Sequence, residues 1–394
     1  MRLHRIILGL LLSLLASGSL HAHEDFEGLS VKGFASQAYF KSSENPYATD
    51  ATLNEGGSFN FRELGINLNW EINHELRFAT QVLSRQYGDV NNGAPVFDLA
   101  LIDYTPIHTL NLTSGIRLGR VKTPYGIYND ARDLPSTRPG VLLPSIYFDN
   151  LRDLMLSTDG ANLYFEREDD LGHLEINAYA GRRDAQDKSL EYKQFYSDIP
   201  GGDFETLNKQ GLKLLWSPFS VPGLSFGYSL LRWDTNLNFS TPFPSATPYY
   251  NGSVDSIKLE TVHHLLSVQY QLQSLTFTAE WMSADGNLKL YGSNGIKNIN
   301  TDAEGYFLQT EWTPIPRFTG LIRFEAYQPY KNQSSIDSEA ITLGARWYFT
   351  PEWLLSGQYS WHEGIADIPA YTKLNLTNLK ESWQIFALQL TYHF

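Results

Sequence analysis

The 394-residue sequence contains no cysteine at all. That absence removes a disulfide framework, a cysteine-ligated zinc or iron–sulfur centre and thiol catalysis. Charge is scarce too, at 19% of residues against roughly 25% in an average soluble domain. What charge there is leans acidic, with 30 Lys+Arg against 43 Asp+Glu, which gives no electrostatic basis for a nucleic-acid partner. No stretch approaches the roughly 20 apolar residues of a spanning helix, so if the chain enters a membrane it does so as strands. Aromatic residues, by contrast, are plentiful at 14%, which argues against a disordered chain.

The first residues form a distinct unit. Met1-Arg2-Leu3-His4-Arg5 precedes an apolar run over 6–15, and Ala16-Ser17-Gly18-Ser19 leads to Leu20-His21-Ala22. Charged, apolar and small-residue regions in that order predict a secretory signal peptide at 1–22, cleaved after Ala22, with 23–394 as one mature domain.

Beyond it, apolar and polar positions alternate in segments of about ten residues, the period of strands with two different faces. Leu64, Ile66, Leu68 and Trp70 alternate with Gly65, Asn67 and Asn69. Leu275, Phe277, Ala279 and Trp281 do so with Thr276, Thr278 and Glu280, and Ile341, Leu343, Ala345 and Trp347 with Thr342, Gly344 and Arg346. Asp98, Ala100 and Asp103 fit neither face cleanly. Short breaks at 73–75, 105–109, 168–172, 217–223, 271–274, 313–317 and 350–352 alternate with longer polar segments. The longer ones are 42–57, 87–95, 122–159, 182–206, 234–256, 284–304, 328–338 and 362–380, and together the two sets join sixteen strands. A soluble sandwich also alternates, but tight turns at one end and long loops at the other, with an even strand number, are the pattern of a transmembrane antiparallel β-barrel. The nine tryptophans fall beside these breaks, as an interfacial aromatic belt requires.

The last segment alternates Phe386, Leu388, Leu390, Tyr392 and the terminal Phe394 with Ala387, Gln389, Thr391 and His393. It resembles the C-terminal strand signal of Gram-negative outer-membrane barrels, with Tyr392 and Phe394 as the positions read by the barrel-assembly machinery. With the leader and the strand count, the chain resembles a Gram-negative porin over its mature length. Gly119-Arg120-Val121-Lys122-Thr123-Pro124-Tyr125-Gly126 is similar to the segment after the fifth strand in several porin families, the phosphate-selective type included. The resemblance implies residence among outer-membrane lipid, a homotrimer, and a water-filled channel narrowed by a third loop folded into the lumen. It implies ion transport and passive diffusion of small hydrophilic solutes.

The residues themselves single out 122–159 as that loop. It is the longest connection, it carries Pro124, Pro135, Pro139 and Pro144, and Val141-Leu142-Leu143 and Ile146-Tyr147-Phe148 are costly to leave in water. Packing over the rim or a neighbouring subunit is the alternative. Candidate constriction residues are Lys122, Tyr125, Asp130, Arg132, Asp133, Arg138, Tyr147 and Asp149. Candidate pore-wall residues are Arg77, Arg85, Arg117, Lys213, Arg323, Arg346, Glu280 and Glu311. Both signs are present in each set, so the sign of selectivity stays open, and any one charge serves equally well as an ion pair tying the loop to the wall. Tyr125, Tyr128 and Tyr147 either stack on sugar rings or pack the loop.

Enzyme signatures fare poorly. Gly223-Leu224-Ser225-Phe226-Gly227 has the hydrolase spacing but begins a strand instead of a strand-to-helix elbow. His263 and His264 are adjacent in a strand, point to opposite faces and cannot share a metal. No cofactor and no catalytic residue is expected. The alternatives to a diffusion pore are an anion-, phosphate- or sugar-selective porin, and a plugged barrel with enzymatic or adhesive work.

Overall fold

A computed structural model describes residues 28–183, 202–204, 206–247, 250–331, 337–366, 368 and 379–394. The expected signal peptide lies outside the described residues, as do parts of the loops expected at 182–206, 234–256, 328–338 and 362–380.

The alternating segments form strands. Before the third long loop these are β1 (Leu29–Ser42), β2 (Ser58–Glu71), β3 (Leu76–Tyr87), β4 (Asn91–His108) and β5 (Leu112–Lys122). After it come β6 (Ser157–Asp169), β7 (Gly172–Arg183), the short β8 (Gly202–Phe204), β9 (Leu207–Ser217), β10 (Leu224–Thr247), β11 (Tyr250–Leu272) and β12 (Leu275–Gly292). The rest are β13 (Gly295–Asn300), β14 (Ala303–Ile315), β15 (Phe318–Gln328), β16 (Ser338–Tyr348), β17 (Trp353–Gly364) and β18 (Ser382–His393). Neighbours pair antiparallel, and β1 pairs with β18 from Phe34↔His393 to Ser42↔Ile385, which closes the sheet. β8 only extends β10, and β13 only extends β12, so sixteen strands make the barrel wall. Closure satisfies every ladder without an edge, the condition for a sheet in lipid.

Three polar segments expected as long loops are mainly strand. β4 begins at Asn91, leaving only 88–90 as the connection; β10 and β11 run through most of 234–256; and β12 with β13 fills most of 284–304. Where a hairpin rises past the apolar band both faces are wet, so alternation fades while the hydrogen-bond ladder continues. The turn expected at 105–109 sits instead at 109–111, because β4 keeps its ladder to His108.

The irregular phase of β4 has a local cause. Val82 pairs with Phe97 and Gln81 with Leu99, which leaves Asp98 as an extra residue in a β-bulge. The bulge turns Asp98 inward, where it is 2% exposed, and puts Ala100 opposite outward Thr80 and Asp103 opposite inward Arg77.

The wall has the reverse of a soluble protein's arrangement. Ile66, Leu118, Leu163, Leu308, Ile322, Leu343 and Leu390 are exposed outside, while Glu63, Gln81, Asp103, Asn177, Thr342 and Gln389 are buried inside. A continuous apolar surface of this extent is stable only against lipid. Trp70, Trp216, Trp312, Trp347 and Trp353 ring the short-turn end, exposed on the outer face, and Trp281 and Trp361 face outward toward the other end. Trp233 and Trp383 depart from the belt: both point inward and are buried.

The seam is closed by Gly33 and Phe394, whose backbones exchange hydrogen bonds of 2.9 and 3.0 Å. A Cβ on Gly33 would lie 2.3 Å from the Phe394 ring, whereas one on Gly56 would meet nothing. Gly33→Val is therefore expected to lower the fraction of heat-modifiable folded barrel in cold SDS gels, and Gly56→Val to leave it unchanged; equal behaviour would separate the seam from barrel stability.

Candidate functional site

The third loop, 123–156, turns into the barrel and is tied to the wall along its length. Its neck is clamped by Lys209 of β9, whose Nζ donates to the carbonyls of Leu154 and Ser157 at one end and lies 3.5 Å from Thr123 Oγ1 at the other. Gly126 donates to Ser229 Oγ of β10 at 3.0 Å. Glu280 of β12 accepts from the Ile127 amide at 3.0 Å and from the Tyr147 hydroxyl. On β9 Lys213 meets Asp130 at 2.6 Å, and on β14 Gln309 donates to Tyr128 Oη at 2.9 Å.

The loop then reaches across to the other walls. Arg323 of β15 donates to the Leu142 carbonyl at 3.2 Å, and Gln358 of β17 accepts from the Leu142 amide at 3.0 Å. Arg346 of β16 donates to the carbonyls of Ser136 and Arg138, at 3.1 and 2.7 Å. Toward β2, β3 and β4 the ties are ionic. Lys122 joins Asp98 and Asp133 at 3.0 and 3.1 Å. A chain of alternating charge runs from loop Arg138 to Glu63 of β2 (2.8 Å), to Arg85 of β3 (3.2 Å), to loop Asp149 (2.9 Å) and to loop Arg132 (2.7 Å). Arg132 also donates to the Tyr147 carbonyl at 2.7 Å, and is 1% exposed.

Packing follows the same path. Tyr125, Leu143, Ile146, Tyr147 and Met155 form an apolar cluster with Leu231, Leu265, Met282 and Phe307 of the wall. Val141 and Leu142 join a second one with Phe40, Phe61, Trp383 and Ile385, which also takes in Tyr47 of the first long loop. Tyr125 and Tyr147 are fully enclosed in the first cluster, which leaves neither ring a face for a passing solute.

The sequence-derived residues therefore fall into two groups. Lys122, Asp130, Arg132, Asp133, Arg138 and Asp149 of the loop segment, with Arg85, Lys213, Glu280 and Arg323 of the wall, meet at the loop–wall boundary. Arg77 and Arg117 lie toward the short-turn end, both on Asp103 at 2.7 and 3.3 Å, with side chains 43% and 30% exposed. Arg346 bridges the two regions, holding the loop and pairing with Glu311 at 3.4 Å. Tyr392 and Phe394 stack on each other at the seam. Ser225 shares a hydrogen bond with Ser217 at 2.7 Å, and His263 and His264 point to opposite faces. Sequence reasoning missed Glu63 as the hub of the ionic chain, Lys209 as the neck clamp and the inward packing of the first long loop. Glu63 continues the inward series of Gly65, Asn67 and Asn69, but nothing in the alternation shows which charges meet.

No protein-family model and no curated protein matches the chain. Solved structures do. The in-vitro-folded trimer form of OmpT, an outer membrane protein of Vibrio cholerae, superposes with TM-score 0.55 at 10% identity, covering 93% of this chain and 100% of that one. An anion-selective porin from Comamonas acidovorans gives 0.57 at 13%, covering 93% and 99%, and OmpF of Salmonella typhi gives 0.52 at 13%, covering 93% and 97%. The shared feature is the fold: the chain has the sixteen-stranded barrel of outer-membrane porins, with its third loop folded inward.

Burial alone would raise the Asp149 carboxyl, yet the guanidiniums of Arg85, Arg132, Arg138 and Arg152 hold it well below the usual carboxylate range. A depressed acid adds stability that is fully present above its unfolded value of about 3.9 and is lost as pH falls through the folded one. Stability from this carboxylate is thus expected to stay level from pH 7 to about 5 and to fall only below about 4, and a loss centred near pH 6 would contradict the assignment. Arg132→Met keeps the length but removes the shorter of the two ion pairs of Asp149 and the donor to the Tyr147 carbonyl, and should lower the free energy of denaturant unfolding by about 1–3 kcal/mol. A loss below about 1 kcal/mol, the range of an exposed pair, would remove Arg132 from the anchor.

Proposed function

We propose that this chain is a non-enzymatic outer-membrane porin, exported by a cleaved leader, assembled by the barrel-assembly machinery, and passing ions and small hydrophilic solutes by diffusion. The observation that carries the reading is the wall itself, apolar outside and polar inside, with a long loop laid across its lumen. The loop is the constriction. Being tied to walls on several sides, it favours a narrow path over the wide eyelet of a general diffusion pore.

Selectivity belongs mainly to charges that remain wet. Arg85, Arg132, Arg138 and Arg323 are buried at the loop–wall boundary, whereas Arg77 and Arg117 face the polar lumen beside Asp103. A pore wall of low dielectric focuses such charges.

A homotrimer fits the outer face. At mid-height β1, β4, β6 and β7 present Ala35, Ala100, Ala161 and Ala178, where β14, β15, β16 and β18 present Leu308, Phe324, Ile341 and Phe386. Small side chains let another copy's wall approach closely.

Two outcomes test the reading in planar bilayers. Deleting most of 130–150 should raise single-channel conductance, and unchanged steps would place the constriction elsewhere. Replacing Arg77 and Arg117 together by Ala should shift the reversal potential across a salt gradient toward cations, and an unmoved potential would take them out of the permeation path.

A further inference from the structure

Above the loop, on the long-loop side, the structure leaves a cavity of about 440 Å³, within the range of small-molecule sites. A channel entrance for hydrophilic solutes is expected to be mainly polar. This one mixes polar side chains such as Thr261, Thr301, Gln358 and Ser360 with a larger apolar and aromatic share. Phe148, Trp233, Tyr327, Tyr330, Leu142 and Leu143 line it, and its charged groups are neutralised, Arg323 by Glu325 at 2.7 Å and Asp149 by Arg85 and Arg132.

Two polar atoms in this mainly apolar setting lack a protein partner. The Ser145 hydroxyl is enclosed and unpaired, and so is Nδ1 of His263, a residue 5% exposed whose ring lines the cavity. The proton on that ring is fixed by its neighbour. Trp233 Nε1–H can only donate, and it lies 3.1 Å from His263 Nε2, so the neutral imidazole carries its hydrogen on Nδ1. Burying a donor without a partner costs about 1–3 kcal/mol, so a binding site that supplies the acceptor recovers it.

Phe148 packs against that imidazole. Its ring stands edge-on to His263 with centroids 5.7 Å apart, and edge-on to Tyr327 at the same distance. Its backbone is held at φ +50°, the left-handed region that an aromatic residue rarely adopts. A flat ring that takes the place of the Phe148 side chain against His263 keeps the aromatic contact and meets the hidden N–H.

We propose that the cavity is a binding site for a flat aromatic solute carrying a hydrogen-bond acceptor, taken up from the long-loop side and held beside Trp233 by the His263 and Ser145 donors once the Phe148 ring swings aside. This deepens the channel reading and rests on it for the solute's onward path. A sugar fits less well, because the Tyr125 and Tyr147 rings on which its faces could stack are already enclosed.

Coumarin, flat and bearing a carbonyl but no donor, is a suitable probe, with glucose as the control. In equilibrium dialysis against the refolded full-length barrel, coumarin should bind and glucose should not. Ser145→Ala and His263→Phe should each weaken coumarin about fivefold, the worth of one hydrogen bond. Absent coumarin binding, equal glucose binding, or affinity unmoved by either variant would overturn the site; Ser145→Ala keeps the test decisive if His263→Phe fails to fold. In bilayers coumarin should interrupt the ion current. A barrel that conducts without binding coumarin refutes the site alone, while one that binds it and carries no current refutes the channel alone.

Discussion

A buried guanidinium in a barrel lumen has to find a carboxylate, and that constraint organises this protein. The chain Arg138–Glu63–Arg85–Asp149–Arg132 alternates sign from loop to wall and back to loop, so each carboxylate serves two arginines. Replacing buried pairs with well-packed apolar groups is often neutral, but removing one member leaves its neighbours short of a partner. The network therefore fixes one position of the loop. Loop carbonyls at Leu142, Ser136 and Arg138 then fall against Arg323 and Arg346, and Tyr147 against Glu280.

That anchoring divides the lumen. Toward the short-turn end Arg77 and Arg117 stay partly exposed over a buried Asp103. At the level of the loop, charge holds structure, and above it aromatic and aliphatic side chains take the larger share of a mixed surface. From the long-loop end to the short-turn end the lumen thus runs from that cavity, past the tied loop, to a wall of partly exposed arginines.

Much of this was legible in the sequence. Period-2 alternation gave the faces, and alternating connection lengths gave sixteen strands, because lipid outside and water inside impose opposite chemistry on neighbouring residues. The prolines and apolar triplets of 122–159 marked a segment unfit for water, and it folds inward. Asp98 broke the pattern because a bulge is a matter of register with β3, which no single strand reveals. Trp233 looked like a belt residue because the polar residues after it suggested a loop, whereas β10 continues to Thr247 and carries Trp233 inward. Ion pairing was illegible for a similar reason: Arg138 and Glu63 are 75 residues apart, and only closure brings them together.

The position of the loop against the far wall is the claim on which the rest turns, and the absence of native cysteine makes it directly measurable. A Cβ on Gly140 would lie 3.2 Å from Leu321 Cδ2 of β15. With Gly140→Cys and Leu321→Cys combined, a short bifunctional thiol cross-linker added to the folded barrel should join the two residues within one chain and leave neither open to other thiol reagents. Two freely alkylated thiols in a barrel that is still heat-modifiable would mean the loop does not cross the lumen, and the anchoring account would fall.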